Sequence, residues 1–194
     1  MGRPSLSQDS LVTFKVFNSG FCNLDVALKE EDLYPRVQKA LQSYFCPGSE
    51  ECLFEISADG FGEELVKKLP DEILFLLGKR EFRPDILGKV RHPIGSRAFY
   101  YFDFFISAEI KTSPPTLDDV FQAKKYGEIY GCAISLLVST DRPEERLLRF
   151  LKKKSTLLLL PMSGYHVYLC RFSVERDTID WWFPEAPRRE QHTS

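Results

Sequence analysis

The chain has 194 residues, 43% of them hydrophobic and 13% aromatic, and a net charge of -2, which suits one globular domain over 1–194 and argues against long disorder. Such a balance excludes a protein coated in positive charge, although an acid-rich side can offset a local basic face. No apolar run approaches the roughly 18 residues of a membrane span, and the start "MGRPSLSQDS" lacks the apolar centre of a signal peptide, so a soluble, cytoplasmic chain with no membrane partner is expected.

In chain order, "LVTFKVF" (11–17) alternates apolar and polar residues as a strand does. In "LKEEDLYPRVQKALQSYF" (28–45), Leu33, Val37, Leu41 and Tyr44 fall at helical spacing. Because proline is tolerated only in a first turn, Pro35 places the start of this helix near Glu31 or Asp32, with Glu30 and Glu31 at the positive end of its dipole. A turn is expected at Pro47 and Gly48, then a strand over "CLFEIS" (52–57). The helical pattern of 63–78 breaks at Pro70, giving two short helices or one kinked helix. "REFRPDILGKV" (80–90) and "AFYYFDFFISAEIK" (98–111) read as a hairpin turning through "RHPIGS" (91–96).

Thr116 and Asp119 form a capping box for a helix whose apolar surface is Leu117, Val120, Phe121 and Tyr130, ending at Gly131. "CAISLLVS" (132–139) is apolar enough to be a strand buried on both faces. Asp141 and Pro143 open a further helix, "RPEERLLRFLKKK", whose basic end suits the negative pole of the dipole. "STLLLLP", "YHVYLCRF" and "TIDWWFP" are the last strand candidates, and "EAPRREQHTS" is expected to fray. This order predicts an α/β sandwich around a mixed sheet and contains no internal repeat.

Five cysteines without C-x-x-C spacing argue against structural zinc. Cys46 and Cys52 flank "PGSEE" and could close a small loop, although a reducing cytosol makes free thiols the default, while Cys132 and Cys170 lie in apolar runs that suit a core.

The chemistry concentrates where the hairpin ends. On a strand, Glu109 and Lys111 share one side and Ile110 takes the other, its carbonyl oxygen still available as a ligand. With the neighbouring strand in register, Asp85 faces Glu109, and the two offer oxygen ligands to a hard divalent cation, for which magnesium is preferred. Lys111 would balance charge, help to orient or deprotonate a metal-bound water, or stabilise a phosphoryl oxygen.

"RPDILG" followed by "AEIK" resembles the signature of the PD-(D/E)XK nuclease superfamily. "KEEDLYPRVQKAL" resembles the first helix of many members, and "QAKKY" the Gln-x-x-x-Tyr helix motif of exonuclease-like branches. The resemblance implies a restriction-endonuclease-like α/β core, a central mixed sheet flanked by helices, over about 28–140, followed by an extension over 141–185 and the tail 186–194. It implies a metal-dependent nuclease in which Asp85, Glu109, Lys111 and Gln122 are catalytic and Asp85, Glu109 and the Ile110 carbonyl hold Mg2+, with Mn2+ as a substitute. Tyr126 would be accessory, as would an acid of the first helix, either Glu30 or Glu31, and Lys124 and Lys125 would contact nucleic acid, DNA in the first instance.

The absence of a G-x-x-x-x-G-K-[ST] loop makes any helicase or repair motor a separate partner, and a homodimer is compatible with cutting two strands. The alternative from another class is an inactive nucleic-acid-binding or assembly module on the same fold. A third reading is a protein-interaction domain resting on the aromatic hairpin.

Overall fold

The computed structural model describes residues 28–46, 52–93, 101–160 and 165–185. The strand expected over 11–17, the turn at Pro47 and Gly48, residues 94–100 at the hairpin tip and the tail 186–194 lie outside the described residues.

Helix α1 (Glu30–Phe45) buries Leu33, Tyr34, Val37 and Leu41, a stripe set by their spacing of three and four. It starts at Glu30, before the expected Glu31 or Asp32, so Pro35 falls in the second turn. Pro35 has no amide hydrogen to offer the Glu31 carbonyl, and Glu31 is exposed, so solvent can take that place.

Strand β1 (Leu53–Ile56) follows. Pro70 separates a short helix α2 (Glu63–Val66) from a 3-10 helix, Asp71–Leu76, which selects two short elements over one kinked helix. The strand expected from residue 80 begins six residues later: Arg80–Phe82 form a 3-10 helix, and β2 (Ile86–Pro93) runs through residues 91–93, where the sequence predicts a turn. Strand β3 (Tyr101–Lys111) completes the hairpin.

Helix α3 (Leu117–Ile129) carries the capping box in full, with Thr116 Oγ1 accepting from the Asp119 amide and Asp119 Oδ2 accepting from the Thr116 amide. Val120 and Tyr130 are buried as expected, but Phe121 is 45% exposed, because it lies off the stripe formed by Val120, Ala123 and Tyr126. Strand β4 (Ile134–Ser139) is buried at every position. Beyond helix α4 (Glu145–Lys153), "STLL" forms a 3-10 helix, and only two residues extend as β5 (Leu159–Leu160). Strands β6 (Tyr165–Ser173) and β7 (Thr178–Phe183) close the fold.

The sheet has the order β1-β2-β3-β4-β6-β5, with β7 also paired to β6. The β1-β2-β3 meander is antiparallel, whereas β3-β4 and β4-β6 are parallel and are crossed by α3 and α4. Alternation along the strands divides the core between two faces. Ile106, Ala108, Ile110, Ile134, Leu136 and Val138 pack with α1. Leu137, Val167 and Leu169 pack with Val120 and Ala123 of α3 and Leu151 of α4. Cys132 and Cys170 are buried thiols, and Cys46 and Cys52 are joined as a disulfide, in place of the free thiols expected by default.

Candidate active site

Alternation puts Glu109 and Lys111 on the α3 side of β3, while Ile110 sends its side chain into the α1-side core. Register supplies their partner. Ile86 pairs with Ala108, so Asp85, one residue before β2, comes beside the end of β3. Its Oδ2 accepts the Ile110 amide at 2.7 Å, and its carbonyl oxygen accepts the Ser57 amide at 2.8 Å. Ser57 Oγ donates to the Pro84 carbonyl at 2.7 Å, which holds the Pro-Asp step in place.

Two helices approach this point with the same spacing. On α1, Glu30 and Tyr34 are four apart and lie on one face; Tyr34 OH donates to Asp85 Oδ1 at 2.9 Å, and Glu30 Oε2 lies 3.8 Å from Lys111 Nζ. On α3, Gln122 and Tyr126 are likewise four apart. Gln122 Nε2 donates to Glu109 Oε1 at 2.7 Å and stands 3.3 Å from Tyr126 OH. Lys111 Nζ donates to the same Glu109 oxygen at 2.9 Å. Glu30, Tyr34, Asp85, Glu109, Gln122 and Tyr126 line a cavity of about 280 Å3, and Lys111 stands behind Glu109. Roomier cavities of about 360 and 610 Å3 occur elsewhere but contain no such acid pair, so chemistry and not volume selects the site.

Glu109 is only 4% exposed. Burial, then the nearby Asp85 charge, pushes its carboxyl up to about 7 against the pull of Lys111. Asp85 is raised by burial, opposed by the Ile110 amide, the Tyr34 hydroxyl, Lys111 and Arg80. Glu30 is also raised by burial. Burial works to lower Lys111, but its bond to Glu109 and the charges of Glu109, Glu30 and Asp85 prevail and raise it. Lys111 is therefore an ammonium at neutral pH, which suits stabilisation of charge rather than proton abstraction.

Among the described residues, no three His, Cys, Asp or Glu side chains form a ready metal group. Magnesium does not need one: it binds through one or two carboxylates and keeps several waters. Once ionised, Asp85 and Glu109 carry two negative charges against the single ammonium of Lys111, which Glu30 also shares, and a divalent cation would supply the missing positive charge. The donor set of Asp85 and Glu109 fits.

Of the residues expected from the sequence, Asp85, Glu109, Lys111, Gln122, Tyr126 and Glu30 converge. Glu31 does not. One residue corresponds to 100° of helix rotation, which turns Glu31 to an exposed position and selects Glu30. Lys124 and Lys125 have internal partners: Lys124 lies 3.9 Å from Glu128, and Lys125 Nζ donates to the Glu81 carbonyl at 2.6 Å. Sequence reasoning missed Tyr34, Arg80 and Arg83. The i, i+4 relation to Glu30 could have found Tyr34. Arg80 and Arg83 were hidden by assigning 80–90 to a strand, where residues three apart point to opposite faces.

No protein-family model matches this chain, and no curated protein or solved structure is significantly similar to it.

Proposed function

We propose that the chain is a metal-dependent nuclease on a PD-(D/E)XK-type, restriction-endonuclease-like core, hydrolysing phosphodiester bonds of nucleic acid, with DNA the first substrate to test. The observation that carries this reading is the side-by-side placement of Asp85 and Glu109, with the Lys111 ammonium and the Gln122 amide both on Glu109 Oε1. A central mixed sheet with helices on both faces accords with it.

Asp85, Glu109 and the Ile110 carbonyl would hold the magnesium or manganese ion, which when bound supplies Lewis-acid charge and an acidified water. The chain's own residues do the rest. Tyr34 and the Ile110 amide restrict Asp85 to one orientation, and Gln122 does the same for Glu109. Lys111, shared between Glu109 and Glu30, is placed to stabilise negative charge on a phosphoryl oxygen as the water oxygen bonds to phosphorus and the ester oxygen leaves with a proton.

The test is cleavage of labelled linear, circular, single-stranded and branched DNA with magnesium or manganese, comparing wild type with Asp85→Ala and Lys111→Ala. Cutting by wild type that falls by at least about 100-fold in both folded variants is expected, since an electrostatic group of this kind contributes roughly that much. Binding without cutting on every substrate would favour the inactive nucleic-acid-binding module. Absence of cutting, together with no metal bound in calorimetry, would end the nuclease reading.

A further inference from the structure

The cleft that contains the acids also contains two arginines which the proposed chemistry does not use. Arg80 and Arg83 line the same cavity as Asp85 and Glu109. They come from the 3-10 helix Arg80–Phe82 and the residue that caps it, closed by the bond from the Arg83 amide to the Arg80 carbonyl at 3.0 Å. Arg83 leaves the turn in extended conformation, and both side chains reach the one cavity.

Their segment is anchored to the helix that carries Gln122. Tyr130 OH donates to the Phe82 carbonyl at 3.0 Å, Lys125 Nζ donates to the Glu81 carbonyl at 2.6 Å, and the same Nζ lies 5.9 Å from the centre of the Phe82 ring. Lysines that had been candidates for the nucleic-acid surface therefore include one that braces this turn.

Neither arginine makes an ion pair or a side-chain hydrogen bond among the described residues, although the charge of Arg80 acts on Asp85 through space. An arginine needed only to neutralise the acids would close onto a carboxylate, as Arg171 does on Asp180 at 2.8 Å. A planar guanidinium with free donors fits the two-oxygen edge of a phosphate.

We propose that Arg80 and Arg83 form a phosphate seat that grips a backbone phosphate adjacent to the one at the acid pair. The seat rests on the reading that this cleft receives a phosphodiester chain, but it does not require that the chain be cut. It makes the ligand a polynucleotide with at least two phosphates, and it offsets the repulsion that Glu30, Asp85 and Glu109 exert on such a polyanion.

The experiment is fluorescence anisotropy of a 5′-fluorescein-labelled 12-nucleotide oligothymidylate in EDTA, where metal-assisted cutting cannot occur, across a salt series. Wild type is compared with Arg80→Ala, Arg83→Ala and a control, Arg149→Ala, whose side chain is exposed on α4 beside Glu145. Arg80 is exposed, so its removal leaves the fold intact even if Arg83→Ala destabilises it.

Arg80→Ala should bind roughly tenfold or more weakly, the effect of losing a charge-assisted hydrogen bond. Its dependence of log affinity on log salt should be shallower by about 0.7, the value for one phosphate of a single strand. Arg149→Ala should match wild type. Equal affinities for wild type and Arg80→Ala, an equal loss in Arg149→Ala, or no binding by wild type would each overturn the seat. If wild type also cuts with magnesium, Arg80→Ala should raise KM with little change in kcat. Weakened binding in Arg80→Ala without any cutting by wild type would keep the seat and remove the nuclease, whereas cutting with an unchanged KM would do the reverse.

Discussion

Glu109 is nearly buried and lies beside a second carboxylate, and its ionisation should be visible in the stability of the metal-free protein. Its carboxyl lies at about 7 in the folded chain, above the roughly 4.3 of an unperturbed glutamate. Folding therefore favours the protonated form. The unfolded chain ionises first as pH rises, so the contribution of Glu109 to stability is fully present below about 4.5 and is lost by about 7, a change on the order of 1 to 3 kcal/mol. Thermal melts in EDTA between pH 4.5 and 8 check this, and Glu109→Gln should flatten the decline because its amide does not titrate. A stability difference between wild type and Glu109→Gln that stays constant over that interval would contradict the charge balance assigned to the acid pair. The same reasoning gives Lys111 its role: three nearby carboxylates keep it charged despite burial.

Among the elements, the β1-β2 pair shows how closely the sheet is packed behind the site. Phe54 pairs with Gly88 and is buried, and a Cβ added to Gly88 would come within 2.4 Å of the Phe54 ring. Gly88→Ala should cost about 1 to 3 kcal/mol, the usual price of overpacking, read as a lower urea midpoint at unchanged slope. Gly78→Ala, which meets nothing within 4 Å, is the control and should change the midpoint little. Because β2 delivers Asp85 to β3, Gly88→Ala should also reduce the proposed cleavage more than a loss of folded protein would explain. On the other face, the Thr116 and Asp119 capping box fixes the first turn of α3 and, one turn on, the position of Gln122.

For the whole molecule, the proposed metal site predicts coupling between cation binding and folding. A cation that binds the folded acid pair and not the unfolded chain stabilises by mass action, by about 2.7 kcal/mol at 100 times its Kd. At roughly 2 to 4 °C per kcal/mol for a chain of this size, Tm should rise by several degrees. Magnesium or manganese should raise the Tm of wild type more at pH 8 than at pH 6, since the ion competes with the raised protons of Asp85 and Glu109. Asp85→Ala should abolish the difference; an equal rise in that variant would place the ion elsewhere.

Much of this architecture was legible in local pattern. The buried stripe of α1 and the shared side of Glu109 and Lys111 follow from periods of 3.6 and 2, the capping box of α3 from a four-residue motif and the fully buried β4 from an unbroken apolar run, all of which depend on neighbours in the chain. Conformation and proximity across the fold were decided otherwise. Register brought Asp85 to Glu109, the docking of α1 chose Glu30 over Glu31 and brought Tyr34 to Asp85, and contacts from α3 hold residues 80–82 as a 3-10 turn that presents both arginines to the cleft. A short segment such as "REFR" has too little intrinsic preference to choose its own conformation, so packing against distant residues chooses it. Spacing within one element can be read from the chain, whereas the meeting of elements depends on long-range packing, which only the folded molecule contains.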